Sequence, residues 1–556
     1  ESANPNTALS RSFILYQEVY MKKFLACLLS SLALFSMVGC GGGSAANEEP
    51  PAETEYYVAS KLARTDSGRM YVEVDGEPML YTGAQVRIDG YVHLDGLAFD
   101  EMEDQFRKAA SMNVNTVQLP LCWSDLEPSE GNYVFRDVRK LLDWALQYGL
   151  KIEFLWFTYQ TGNIYCPQYI WEDEKTYPKY ESDHKNDVWG KQGSVGYLVY
   201  QTPALLERER LMIEALTDFI YEWEKEKGFP VVVTGYQIYN EPDNFPRWGL
   251  SQQNVKLPDG SRMLTDREAW DDVLTTLDHA GKIFKNSKWR AITRVNLTTL
   301  LSSGENWREF APDVYALEGI DMVGDDTYTN SIADQKQSML NLEGEEFDYS
   351  NFPHVSENAA NYTNTASLIL SAIAQGAGYL MYCLQLPYEY VRNEPDWGKW
   401  EQGVYNVDGT EKEHTAGVRN LLYGLKNAGT QLAVADIADI AAFNVEENYP
   451  LETKEQAINT TAVSLQFSTE QAAIGFAVYY NGYVTVYCTQ DAQIQLGNAE
   501  FSDAETGIFQ GYEFVADGQA ALLRGDTLAA KGGTLYRIKV DNIAGALQSN
   551  TQDMIG

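Results

Sequence analysis

Between residues 79 and 384, eight apolar runs of strand length alternate largely with stretches of helical period. The runs fall at 79–86, 116–121, 152–157, 231–239, 290–295, 321–324, 352–356 and 378–384. Amphipathic segments at 100–112, 138–148, 205–225, 266–284 and 365–375 lie between them, the second followed by Gly149 as a helix-ending residue. Strands buried on both faces and separated by helices make a parallel sheet. Eight of them in a row predict a closed (β/α)8 barrel. Such a barrel presents its chemistry at the carboxyl ends of the strands, so the residues that terminate each run are the ones to read for function.

Two of those ends carry glutamates. The fourth run, VVVTGYQIY, stops at Asn240-Glu241-Pro242, and the seventh runs into Glu357-Asn358, 116 residues on (357 − 241). Two carboxyl groups on separate strand ends are the minimum apparatus for cleaving a glycosidic bond: one protonates the leaving oxygen, the other attacks or activates water. A carboxyl walled by Tyr239 and Pro242 gains a raised pKa by desolvation, which suits Glu241 to the acid role. Glu357 is then the nucleophile, and Asn240 a donor to a sugar hydroxyl. Trp123 and Trp156, ending the second and third runs, offer flat apolar faces for a pyranose ring. Arg87, just past the first run, is placed to pair with a carboxylate. The tyrosine- and tryptophan-rich segment 158–203, without regular period, reads as a wall of the cleft.

Residues 113–157, NVNTVQLPLCWSDLEPSEGNYVFRDVRKLLDWALQYGLKIEFLWF, together with the two glutamates, resemble glycoside hydrolase clan A, and within it the β-galactosidase families 35 and 42. The resemblance covers roughly 83–384 and implies a TIM barrel, with the acid/base after strand four at Glu241 and the nucleophile after strand seven at Glu357. It also implies a sugar-binding role for Asn240, and for Tyr328 the part of the strand-six tyrosine that orients the nucleophile. Two departures stand out: Asn-Glu-Pro replaces the Asn-Glu-Tyr-Gly common in family 35, and the eighth strand ends in Tyr382-Cys383-Leu384-Gln385 without the tryptophan usual in the clan. The implied activity is a retaining, exo-acting β-glycosidase of β-galactosidase type on oligo- or polysaccharide. An endo-β-glycanase of the same clan is the alternative, followed by a catalytically silent, surface glycan-binding lipoprotein.

The rest of the 556 residues divides around the barrel, expected at 66–428. Past about 430, short alternating runs at 462–467, 472–480, 483–488, 494–496 and 533–540 are broken by turn signals such as Asn481-Gly482 and Gly525-Asp526. They predict an antiparallel, sandwich-like β-domain over 429–545 that braces the barrel, with a tail at 546–556. Upstream, Met21-Lys22-Lys23, an apolar stretch to Val38 and Gly39-Cys40 resemble a bacterial lipoprotein signal peptide at 21–40. Cys40 is the expected lipidation site, preceded by an unstructured extension at 1–20 and followed by a flexible tether at 41–65. The expected setting is the cell envelope, with membrane contact through the lipid alone.

Composition narrows the partners. A formal charge of −37 with only 42 basic residues repels phosphate backbones, so nucleic acid is not an expected partner. No GxGxxG or Walker sequence is present, so no cofactor is expected. Five scattered histidines, without HExxH or CxxC spacing, predict no metal site, and Asp325-Asp326 alone offers too few oxygens for calcium. His354 reads as a packed residue. Cys122, Cys166, Cys383 and Cys488 are expected as buried thiols, with a Cys122–Cys166 bridge as the alternative.

Overall fold

The structure, a computed structural model, describes residues 55–157, 165–182, 197–246, 254–298, 312–343, 350–393, 401–445, 454–519, 522–524 and 527–541. The extension, the signal peptide with Cys40 and the tail at 546–556 lie outside these residues.

Eight parallel strands close into a barrel: β1 (Thr82–Gln85), β2 (Thr116–Leu121), β3 (Lys151–Trp156), β4 (Val233–Ile238), β5 (Ile292–Thr298), β6 (Met322–Asp326), β7 (His354–Glu357) and β8 (Gly378–Met381). Each pairs with the next in order, and β8 returns to β1 in the register Tyr379 with Thr82 and Leu380 with Gly83. This is the expected (β/α)8 fold, with the strands shifted by a few residues from the apolar runs. The helices most relevant here are α1 (Ile88–His93), α2 (Glu103–Ser111), α3 (Arg136–Tyr148), α4 (Pro203–Lys227), α5 (Asp266–Asn286), α6 (Ile332–Glu343), α7 (Thr365–Ala374) and α8 (Thr415–Asn427). Their ends follow local chemistry. Thr265 and Glu268 form a reciprocal capping box at the start of α5, while Gly149 and Gly228 end α3 and α4 in the left-handed conformation.

The barrel interior is polar. Glu153 of β3 and Arg294 of β5 form a bidentate ion pair, with Nη2–Oε1 at 2.6 Å and Nε–Oε2 at 2.9 Å, and their side chains are 3% and 1% exposed. Tyr81 donates to Glu153 Oε2 at 2.8 Å, and Arg294 Nη1 donates to Ser356 Oγ of β7 at 2.9 Å. Burial opposes the arginine's charge, yet the glutamate more than offsets this and holds its pKa above the ordinary value. Two glycines make room for this layer. A Cβ on Gly235 would lie 3.3 Å from the Glu153 side chain, and one on Gly324 would lie 1.9 Å from Ser356 Oγ. His354 is fully buried, its ring 3.0 Å from Ser356 Oγ, and burial together with Arg294 lowers its pKa well below the usual histidine value.

The start of the described residues differs from expectation. The tether expected through residue 65 gives way earlier, because Tyr57–Val58 pairs with Trp289–Arg290 and Ser60–Arg64 joins a three-stranded antiparallel sheet with Met70–Val74 and Glu77–Met79. Tyr57 stacks on Phe229 and Trp289 at centroid distances of 4.8 and 5.0 Å, apolar contacts a free tether would forgo. Ser60 Oγ bridges the amino-terminal ends of β4 and β5, donating to Thr234 O (2.7 Å) and accepting from Ile292 N (2.9 Å), so this sheet closes the barrel floor. The tight turn at Asp75-Gly76 has φ of 51° and 79°, as its sequence predicts.

Beyond the barrel, a six-stranded and a five-stranded antiparallel sheet enclose a core that includes Phe443, Leu465, Phe467, Val486, Ile494 and Ile538. The hairpin at Asn481-Gly482 occurs as expected, joining Gly475–Tyr480 to Tyr483–Cys488. Strands Ile440–Phe443 and Glu455–Asn459 were not marked by the sequence pattern. The domain docks on α8: Tyr487 donates to Asn420 O at 2.6 Å, and its ring lies over Gly424, where a Cβ would come within 2.5 Å. All four cysteines among the described residues are free and buried. No helix among those residues is long and apolar enough to cross a membrane.

Glu153→Gln, which leaves the Arg294 charge buried without its anion, is expected to destabilise the fold by about 3–5 kcal/mol. Replacing both residues by methionine should recover a large part of that loss. Denaturant unfolding of the two variants beside wild type measures both effects.

Candidate active site

At the end of β4 the backbone makes an unusual excursion. Tyr239 and Glu241, neither of them glycine, take φ of 58° and 44°, and conformations of this kind cost about 1–3 kcal/mol each. Hydrogen bonds hold the segment there. Tyr239 N donates to Trp156 O at 3.0 Å and its hydroxyl to Glu209 at 2.7 Å, while Glu241 N donates to Asn296 Oδ1 at 3.0 Å. Asn296 Nδ2 in turn donates to Asn240 Oδ1 at 3.0 Å. The two reversals place the Asn240 and Glu241 side chains on one cavity of about 170 Å³ at the carboxyl ends of the strands.

Glu357, the last residue of β7, lines the same cavity. The Tyr328 hydroxyl donates to Glu357 Oε2. Asn358 Nδ2 donates to Thr327 O (2.7 Å) and Thr329 O (3.1 Å), which ties the loop carrying Tyr328 to the residue after Glu357.

The carboxyl groups differ in their electrostatics. Burial and the negative charges of Glu357 and Asp243 push Glu241 up to about 8, against a weaker downward pull from its hydrogen bonds with Asp326 and Asn244. Burial also raises Glu357, but the Tyr328 hydroxyl, the charges of Arg87 and Arg294, and Gln85 all favour its ionised form. A third carboxyl, Asp326 at the end of β6, is held well above its usual range by burial and by the two glutamates. Burial thus raises all three carboxyls, and Glu357 is the one that a tyrosine hydroxyl and two guanidinium charges pull back toward its ionised form.

Of the residues singled out from sequence, Glu241, Glu357, Asn240, Tyr328 and Arg87 meet at this cavity. The ion pair of Arg87 is with Asp89 rather than with Glu357: Nε and Nη2 donate to its carboxylate at 3.0 and 2.7 Å, and Nη1 donates to the Tyr382 hydroxyl at 2.6 Å. Two residues downstream, Asp89 is close enough to take the guanidinium fork first, and Tyr165 completes that carboxylate's shell at 2.9 Å.

Trp123 and Trp156 are not brought to the cavity. Both are buried, with ring centroids 5.8 Å apart, and their indole N–H groups donate to Glu127 (2.8 Å) and Glu209 (2.9 Å). Side chains alternate across a strand, so with Trp156 packed outward near Phe284 of α5, it is Phe157 that faces the cavity. Of the segment expected as an aromatic wall, the described tyrosines pack inward. Tyr165 stacks beneath Phe157 at 4.1 Å, while Tyr177, Tyr180, Tyr197 and Tyr200 are buried in the main core. Tyr159 and Trp189 lie outside the described residues.

Sequence reading missed Gln85, Phe157, Tyr382, Tyr390 and Gln402 as cavity residues, and Asp326 and Asn296 as partners of the glutamates. Gln85, Tyr382 and Asp326 sit at or next to strand ends, and Asn296 is a polar residue in an apolar run, so each carried a signal. Tyr390 and Gln402 lie outside the barrel strands and carried none.

A protein-family model described as a domain of unknown function (DUF4978) matches residues 273–450. No curated protein sequence matches the chain. Among solved structures, the exo-β-1,4-mannosidase Op5Man5 from Opitutaceae bacterium strain TAV5 is similar at 16% identity and a TM-score of 0.44, over 65% of this chain and 62% of that one. The polyextremophilic β-galactosidase of the Antarctic haloarchaeon Halorubrum lacusprofundi is similar at 14% identity and a TM-score of 0.43, over 63% and 58%. A family 39 glycoside hydrolase from the gut symbiont Bacteroides cellulosilyticus WH2 is similar at 11% identity and a TM-score of 0.40, over 85% and 84%. The alignments thus span less than two thirds of the first two of these proteins, and likenesses this distant do not bear on substrate.

Proposed function

We propose that the chain is a retaining, exo-acting β-glycosidase, with β-galactosides as its first candidate substrates. The observation that carries this reading is the pairing of Glu241 and Glu357 on one small cavity, where burial raises both and the Tyr328 hydroxyl and the charges of Arg87 and Arg294 favour the ionised form of Glu357. Exo action is taken from the resemblance of residues 113–157 to the β-galactosidase families. The sequence supports an exported setting with a lipid anchor at Cys40.

In the proposed reaction the Glu357 carboxylate attacks the anomeric carbon while the glycosidic C–O bond breaks and the Glu241 proton passes to the leaving oxygen. Tyr328 and Arg87 hold the nucleophile charged, and Asn240 binds a hydroxyl of the sugar. Formation of the glycosyl ester removes the Glu357 charge, which adds to burial in raising the Glu241 pKa. Glu241 therefore becomes the stronger acid and sits ready, as a carboxylate, to take a proton from the attacking water. That water displaces Glu357, and the anomeric configuration is retained.

A panel of aryl β-glycosides, run beside defined polysaccharides with product stereochemistry followed by NMR, tests the proposal. Release from the aryl galactoside with retention is the expected result, and Glu241→Gln should lower kcat by about 10²–10⁴-fold on substrates needing acid assistance. Glu357→Gln should abolish turnover. Oligomer products from polysaccharide, without aryl glycoside cleavage, would replace this reading by an endo-β-glycanase, and binding without cleavage by a silent lectin.

Tyr328→Phe removes a hydrogen bond to a charged carboxylate, a loss of about 1.5–3 kcal/mol. The expected consequence is a kcat lower by about 10–100-fold, with the acidic limb of the pH profile moved upward because Glu357 then ionises less readily.

The proton of Glu241 is required for the first step and is lost as pH rises through about 8, so kcat/KM should fall along that alkaline limb. In Glu357→Gln the neighbouring charge is gone. NMR titration of the Glu241 carboxyl carbon should then show its pKa displaced downward from the wild-type value. An unchanged titration would mean that burial and Asp243, not Glu357, set it.

A further inference from the structure

A second, larger cavity of about 410 Å³ lies beside the barrel at the ends of β1 and β2, and His93, Cys122 and Asp125 line it. Cys122 follows the last residue of β2, and the chain then turns through the short helix Trp123–Leu126. Cys122 is the N-cap of that helix and Asp125 N donates to its carbonyl at 3.0 Å, so the turn brings the thiol and the carboxylate together. His93, the last residue of α1, meets them from the neighbouring βα unit, its Nε2 lying 2.8 Å from Asp125 Oδ2. One donor atom from each of the three residues lies within 4.8 Å of the other two.

We propose that His93, Cys122 and Asp125 form a binding site for a zinc-type divalent ion, with water completing a tetrahedron. The donor set is one imidazole nitrogen, one thiol sulfur and one carboxylate oxygen. That mixture suits Zn²⁺ and disfavours Mg²⁺ and Ca²⁺, which take oxygen almost exclusively. Bonds of about 2.0–2.3 Å place tetrahedral donors roughly 3.3–3.8 Å apart. The histidine–carboxylate contact therefore opens by about half an ångström as the sulfur closes in, which side-chain rotation accommodates. The Cys122 thiol releases its proton to solvent on binding, as thiolate ligation requires.

The ion's role is structural. It joins the end of α1 to the end of β2, and α1 begins one residue after Arg87, whose guanidinium bonds Tyr382 on the wall of the Glu241–Glu357 cavity. Holding α1 in place therefore holds Arg87, at a distance from the reacting groups.

Calorimetric titration of the chelator-treated full-length protein with ZnCl2, and separately with MgCl2, tests the site. The expected result is one Zn²⁺ per chain at micromolar affinity or tighter, no comparable Mg²⁺ binding, and a thermal midpoint that rises by several degrees and saturates at one equivalent. His93→Gln and Asp125→Asn, both at partly exposed positions, should each weaken binding by an order of magnitude or more. Co²⁺ should give a thiolate-to-metal charge-transfer band that Cys122→Ser abolishes. Zinc binding that survives His93→Gln unchanged, a cobalt spectrum without the thiolate band, or no binding at all would overturn the proposal and leave His93 and Asp125 as an ordinary surface ion pair.

Discussion

The barrel is arranged around one charge that has no access to water. Arg294 is buried in the interior, and an unpaired guanidinium there would cost several kcal/mol. Its anion, Glu153, is two strands away in the barrel order, so the pair spans β4 between them. This is possible only because β4 carries Gly235 at the crossing point and leaves the glutamate its room. Gly324 makes the matching allowance for Ser356, the next partner of Arg294. The interior layer thus fixes which residues of β3 to β7 face inward, and with them the heights at which the strands end.

Those ends carry the site. The chain leaves β4 through two left-handed residues flanking Asn240, a conformation that side-chain and backbone bonds from β3, α4 and β5 compensate. Glu357 needs no such device, since it continues a regular strand and is met by the Tyr328 hydroxyl. The asymmetry between the carboxyl groups follows: one is crowded by Glu357 and Asp243, while the other lies within reach of Arg87 and Arg294.

What could be read from the chain was what is local. Strand and helix periods are set by neighbours a few residues apart, and the eight-fold alternation, the hairpin turns at Asp75-Gly76 and Asn481-Gly482, and the two strand-end glutamates were all legible on that basis. Which side of a strand end faces the cavity was not, because parity is set by packing against helices; hence Phe157 lines it and Trp156 does not. Arg87 found an anion two residues away before any distant one. His93 and Cys122 have no motif spacing, since only the pairing of β1 with β2 makes them neighbours.

A row of side-chain amides threads the same interior. Gln85 donates to Gln118 (2.5 Å), Gln118 to Gln237 (2.6 Å), Gln237 to Asn296 (2.7 Å) and Asn296 to Asp326 (2.8 Å). Every link runs in one direction, and Glu153, which can only accept while ionised, takes the other Gln118 contact at 2.6 Å and locks the sense of the row at its second member. An amide turned end for end would set donor against donor on one side and acceptor against acceptor on the other. The four residues therefore behave as a single heritable unit. Replacing any one of them alone carries the cost of misaligning its neighbours, so drift along this row should proceed by paired exchanges, or not at all.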